Sequence, residues 1–167
     1  MNNNNKYDQE FMKENVDKIL EKTNDNLGEL FLGGVSAAEN INFLKENKIL
    51  AVLTILLERD VSFDKSNLYI DHLVFKVFDE GNVTLYPYFN EAYNFIDNHL
   101  KKGESVLVHC FGGITRSATI VISYIMLKNK LKYAEAFDLV KEKRKIIRIS
   151  NRNFVNDLLK LEKDIFI

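Results

Sequence analysis

A single cysteine stands among 167 residues. One thiol cannot close an internal disulfide, so a disulfide-stapled scaffold is excluded and a reducing compartment suits the chain. With one proline and no serine-rich tract there is no linker signature, and no internal repeat occurs. Long apolar runs are missing too. No membrane span is expected, and the polar opening MNNNNKYDQEFMKENVDK predicts no signal peptide. Neither sign of charge dominates: Lys+Arg total 23 and Asp+Glu 24. A net charge of -1 gives no general attraction to nucleic acid or to an acidic membrane surface. The chain has no Cys-x-x-Cys or His-x-x-x-His cluster, so neither a metal nor a cofactor is expected. The expected setting is cytoplasmic, with the nucleus also open.

What is there reads as one domain. The apolar share of 46% is ordinary for a globular chain, and a chain of this length buries about two-thirds of its unfolded surface. The Asn tract at residues 1–5 is a polar cap. Phe11, Val16, Ile19 and Leu20 recur at helical spacing and predict a short helix, so residues 1–26 form a polar N-terminal tract and residues 27–167 the domain. LFLGG reads as a short strand, and SAAENINFLKENK as a helix capped by Ser36. ILAVLTILLE is a strand buried on both faces. DHLVFKVFDEGN is a further strand, over residues 73–78, running into a Gly-Asn turn. YPYFNEAYNFIDNHLKKG is a helix stopping at Gly103. SVLVH is another buried strand, RSATIVISYIMLKN a central helix, and KYAEAFDLVKEKR and NRNFVNDLLKLEKDIF two amphipathic helices. Strands alternating with helices predict an α/β fold with a central, mainly parallel twisted sheet flanked by helices.

In such a sheet, ligands sit beyond the C-terminal strand ends. The lone cysteine, Cys110, lies at such an end, in VLVHCFGGITRSAT. Gly112 and Gly113 let the backbone curl tightly before the helix that begins near Arg116. A tight loop entering a helix turns successive N–H groups inward, and these donors with the positive helix end make an anion site. The same field stabilises a thiolate at Cys110. Arg116 adds a planar fork for two oxygens of a phosphoryl group. Thiolate, amide cradle and guanidinium together describe a nucleophile aimed at phosphorus. The Cys-to-Arg spacing alone is weak evidence; the joint pattern with strand, glycines and helix is far more specific.

This stretch resembles the active-site loop of the cysteine-dependent protein phosphatases, His-Cys-x-x-Gly-x-x-Arg-Ser/Thr. His109, Cys110, Gly113, Arg116 and Ser117 stand in the matching positions. Within that superfamily the chain resembles a small dual-specificity phosphatase over about residues 27–160, with LFLGGVSAAEN, FNEAYNFID, AFDLVKEKR and the Asn151 to Phe154 pair as further points of likeness. The resemblance implies a protein tyrosine phosphatase-like fold and hydrolysis of phosphotyrosine, phosphoserine and phosphothreonine through a cysteinyl-phosphate. It implies a general acid about 30 residues upstream of the cysteine, just after a strand, where Asp79 stands. Glu80 is a competitor, and Asp71 precedes the strand. Ser117 would hydrogen-bond the Cys110 sulfur, and His109 would orient the loop rather than act as a base. Asn151 would brace the loop or simply cap the last helix. The pattern departs where Ser150 replaces the usual proline and KIIRIS runs about one residue long, leaving open whether Arg144 or Arg148 faces the site.

The loop interior, Phe111, Gly112, Ile114 and Thr115, carries no cation. A neutral, apolar lip favours a phosphorylated protein side chain over an inositol phospholipid. KEKRKIIR could hold a second acidic group or be a solvated helix end. Two other functions stay open at this point: a silent module that captures phosphoproteins, and a phosphatase of phosphoinositides or other non-protein esters.

Overall fold

The computed structural model describes residues 15–63 and 69–167. Five strands, β1 (Val16–Leu20), β2 (Leu30–Gly33), β3 (Ile49–Ile55), β4 (Asp71–Phe75) and β5 (Ser105–His109), form one sheet in the order β1-β2-β5-β3-β4. Strands β2, β5, β3 and β4 run parallel, and only β1 is antiparallel. Among the described residues the helices are α1 (Val35–Ala38), α2 (Ile41–Glu46), α3 (Phe89–Lys101), α4 (Arg116–Asn129), α5 (Tyr133–Lys143) and α6 (Arg152–Ile165), with one 3₁₀ turn at Tyr86–Tyr88.

The sheet divides two cores. Leu30, Leu32, Ala51, Leu53, Ile55, Val106 and Val108 alternate onto the face covered by α3, α4, α5 and α6. Phe31, Val52 and Leu107 take the other face, against α1 and α2. All five residues of β5 are buried, as expected of a central parallel strand covered on both sides. Helix α4 is buried from Arg116 to Met126, and a helix that is apolar all round belongs inside the fold.

Three expectations need correction. Val16, Ile19 and Leu20 lie on a strand, not a helix; Phe11, the fourth of that set, lies outside the described residues. Val16 pairs with Gly33 and Lys18 with Phe31. The open edge of β2 supplies backbone partners, Ile19 drops into the main core, and this tertiary gain overrides weak local spacing. The helix over SAAENINFLKENK is two helices. Ser36 lies within α1, whose cap residue is Gly34, and the Asn40 side chain accepts from Phe43 N at 3.0 Å to start α2. An Asx cap offers the backbone a competing partner and breaks the run. Strand β4 ends at Phe75 rather than at residue 78, because Val77 N turns back onto Phe75 O at 3.1 Å. That early exit lifts the following loop off the sheet, toward the C-terminal end of β5.

Candidate active site

Cys110 leaves the buried end of β5, and α4 begins six residues later at Arg116. Between them every main-chain carbonyl is engaged away from the loop's centre. Cys110 O lies 2.9 Å from His109 Nδ1, Phe111 O accepts from Val35 N at 2.9 Å, and Gly112 O and Gly113 O accept from the Arg144 guanidinium at 3.3 and 2.8 Å. Ile114 O accepts from Arg148 N at 3.1 Å, and Thr115 O from Thr119 N within α4. These peptide bonds are trans, and in a trans peptide the N–H points opposite its carbonyl. Pinning the carbonyls of residues 110–115 outward therefore turns the N–H groups of residues 111–116 inward. The result is a cup of amide donors closed by a helix N-terminus, which favours an anion. Gly113 holds a positive φ of 66°, and a Cβ there would strike the Gly33 main chain and the Arg144 guanidinium, so the turn requires glycine.

Cys110, Phe111, Gly112, Ile114, Thr115 and Arg116 line a cavity of about 250 Å³ together with Asp79, Arg148 and Ser150. Ser117 Oγ stands 3.1 Å from the Cys110 sulfur. Arg116 is nearly buried, and its two terminal nitrogens each lie 2.8 Å from a Glu58 carboxylate oxygen. One terminal nitrogen also donates to Val77 O at 2.9 Å. The Nε–H side is buried and unpartnered. Glu58 thus occupies the tip of the fork and leaves the Nε edge for an incoming oxyanion. Burial pulls the Arg116 guanidinium down, but the Glu58 hydrogen bond and neighbouring negative charges more than restore it. In return, the Arg116 hydrogen bond holds the Glu58 carboxyl below its usual range.

Asp79 lines the same cavity, and its Oδ1 is buried without a partner. Burial raises its carboxyl above the ordinary value; Arg116 opposes the shift, and Glu58 and Glu80 reinforce it. Its competitor Glu80 is exposed and does not line the cavity. Asp71 opens β4 and pairs with His99 at 2.9 Å, at the other end of the sheet. Asn151 accepts from Asn153 N as the cap of α6, and its side-chain amide donates to the Asp79 carbonyl at 3.4 Å. Its contact is thus with the Asp79 loop, joined there by Asn153, which donates to Gly81 O at 3.1 Å.

The structure separates the two arginines that sequence left open. Arg144 is fully buried beneath the loop, where it also donates to Asp17 of β1 at 2.8 Å. Arg148 lines the cavity mouth, and its main-chain carbonyl accepts from the Thr115 hydroxyl at 2.9 Å. Sequence reasoning missed Glu58, Asp17 and the carbonyl struts. Glu58 had one visible signal, an acid closing the apolar run ILAVLTILLE beside an expected anion site.

Residues 30–164 match the family described as dual specificity phosphatase, catalytic domain. The dual specificity protein phosphatase 1B of Arabidopsis thaliana is 37% identical over 155 residues, covering 90% of each chain. The human dual specificity protein phosphatase 1 is 36% identical over 139 residues, 81% of this chain and 36% of that protein. Among solved structures, the human tyrosine phosphatase-like serine/threonine/tyrosine-interacting protein superposes with a TM-score of 0.80 at 31% identity, covering 92% of this chain and 99% of that one. The structure of DUSP15 superposes with a TM-score of 0.72 at 29% identity, covering 86% and 94%. With the cysteine, the amide cup and the arginine fork assembled on the matching fold, the chain belongs to the dual specificity phosphatase catalytic-domain family and is a protein phosphatase.

Proposed function

We propose that the chain removes phosphate from tyrosine, serine and threonine side chains in two displacements, with Cys110 as nucleophile. The observation that carries this reading is the inward-facing amide cup around Cys110, closed by the Arg116 fork. The phosphoryl oxygens sit on the amides of residues 111–116 and on the Nε edge of Arg116, where the charge of a loose phosphoryl-transfer transition state is met by donors already in place. The Cys110 sulfur bonds to phosphorus as the bond to the leaving oxygen breaks. Asp79, whose carboxyl burial raises above the ordinary value, gives its proton to that oxygen when it is in the acid form. In the second step the Asp79 carboxylate takes a proton from water, which attacks phosphorus and expels the cysteine thiolate. Ser117, in hydrogen-bond reach of the sulfur, stabilises the departing thiolate.

Phe111 is 54% exposed at the rim, with Ile114 behind it. This apolar lip suits an aromatic ring or peptide beside the phosphate. Among the described residues, Arg148 is the one cation lining the cavity besides Arg116, too few to favour a polyphosphorylated headgroup. Hydrolysis of para-nitrophenyl phosphate by the parent and its loss in Cys110→Ser test the mechanism; equal rates in both would sink it. A panel of phosphopeptides against soluble inositol phosphates tests the substrate class, with turnover of the peptides expected.

A further inference from the structure

The two displacements leave unused a polar chain that runs from the loop through the sheet. His109 Nδ1 lies 2.9 Å from Cys110 O. A carbonyl only accepts, so Nδ1 carries the proton. Burial pushes the His109 imidazole down to about 4, so the ring is neutral near pH 7 and Nε2 is a bare acceptor. Thr54 Oγ1 lies 2.7 Å from that Nε2, and the hydroxyl gives its one proton there. The Thr54 oxygen is then an acceptor, and His72 Nε2, also at 2.7 Å, is its donor. The direction of each bond follows from the carbonyl outward: His72 donates to Thr54, Thr54 to His109, and His109 to Cys110 O. Thr54 is 2% exposed on β3, and His72, on β4, meets the Phe63 ring edge-on at 4.9 Å. Of the charged groups that act on the chain, Asp71 lies beside His72 on its own strand, while Arg59 and Arg116 bear on His109.

We propose that Thr54 and His72 are positioning residues for the dephosphorylation. Through them His109 is locked in one tautomer and one orientation, which holds the Cys110 carbonyl outward and the Phe111 N–H in the cup. The proposal rests on residues 110–116 being the phosphate cradle. It adds two residues outside the signature loop, on neighbouring strands, that decide how well one of its donors is aimed. Chains of hydrogen bonds in a buried setting polarise one another, so removing either end weakens the bond to the carbonyl.

The test uses the full chain labelled with ¹⁵N-histidine. Two-bond ¹⁵N–¹H spectra report the tautomer of each of the three histidines, and inhibition of para-nitrophenyl phosphate turnover by inorganic phosphate reports the cup. In the parent, His109 is expected as the Nδ1–H tautomer with a hydrogen-bonded Nε2. Thr54→Val keeps the shape and removes the hydroxyl. It should disturb the Nε2 signal and weaken phosphate inhibition about three- to tenfold, the worth of one hydrogen bond. Thr54→Ser should restore both. His72→Phe should act in the same direction, and His72→Gln, which keeps an N–H donor, should recover part of the loss. If Thr54→Val does not fold, the His72 pair carries the same comparison from the outer end. Parent-like tautomer and inhibition in both Thr54→Val and His72→Phe would overturn the proposal alone. A parent that turns over the ester but is not inhibited by inorganic phosphate would overturn the cradle reading beneath it.

Discussion

The two loops that meet at the cavity are built on opposite principles. The loop at residues 110–116 has every carbonyl tied down, by β5's own histidine, the start of α1, the end of α5, the α5–α6 connection and the first turn of α4. Among the described residues, the loop at residues 76–84 is held by side chains at three backbone carbonyls: Val77 by Arg116, Asp79 by Asn151 and Gly81 by Asn153. At its far end, Asp157 of α6 accepts from the Thr84 hydroxyl and from Leu85 N, both at 2.7 Å. The one side chain it delivers, Asp79, has an unpartnered oxygen. The difference follows from the two tasks. Binding a dianion needs fixed dipoles that do not reorganise as charge develops. Raising a carboxyl above its ordinary value needs burial without the partners that would ionise it, and burial is the first cause of the rise at Asp79.

The strongest way to break this comparison is to remove the denied proton. Asp79→Asn keeps the shape and the backbone contact to Asn151, yet cannot protonate a leaving group. For a phosphoserine peptide, whose alkoxide is a poor leaving group, turnover should fall by roughly 10²–10⁴. Para-nitrophenyl phosphate, which leaves as a stable phenolate, should lose far less. The pH profile gives the second half of the test. Burial raises the Asp79 carboxyl, so the acid form persists to higher pH than a free aspartate allows. The parent's turnover should decline as pH climbs through that raised value, and the decline should vanish in Asp79→Asn. If Glu80→Ala produces these effects instead, the contrast between the loops fails at its central residue.

Glu58→Gln probes the other loop. The variant keeps one acceptor for Arg116 and loses the charge-assisted pair at 2.8 Å. Removing a negative charge beside the cup lessens repulsion of a dianion, but a guanidinium freed from its fork no longer presents the Nε edge. Hydrogen bonds to charged groups are worth about 1.5–3 kcal/mol, and the remaining neutral acceptor recovers part of that, so kcat/KM should fall about tenfold. A gain in kcat/KM would show that charge, not orientation, governs this contact.

How much of this was legible in the sequence tracks how local each interaction is. Cys110, Arg116, Ser117 and the glycines sit within eight residues, and their spacing encodes the cup directly. The sheet and the four longest helices were readable because their apolar patterns repeat over several turns. Asp79 could be located only through family likeness, since nothing local distinguishes it from Glu80; the difference lies in burial. Glu58, Thr54 and His72 reach the loop across neighbouring strands, and strand order is not written in any one stretch. Strand β1 was misread because five residues hold too little periodicity to outweigh the edge of β2.

Asp17 offers the smallest and most selective probe. It is the distant end of a relay in which β1 steadies Arg144, and Arg144 steadies the carbonyls of Gly112 and Gly113. Arg144 is fully buried while Asp17 is 35% exposed, so water screens one partner and the pair is worth less than a sealed one. Asp17→Asn keeps an acceptor in reach and should cost no more than about 1 kcal/mol of stability in urea unfolding. Two amides of the cup depend on the Arg144 contacts, so phosphate inhibition should weaken about twofold even where the unfolding midpoint barely moves. Because the relay acts only on residues 112–114, the pH at which turnover declines should stay where Asp79 sets it. A shift of that decline in Asp17→Asn would mean the two loops are mechanically coupled, and that their opposite construction is not independent.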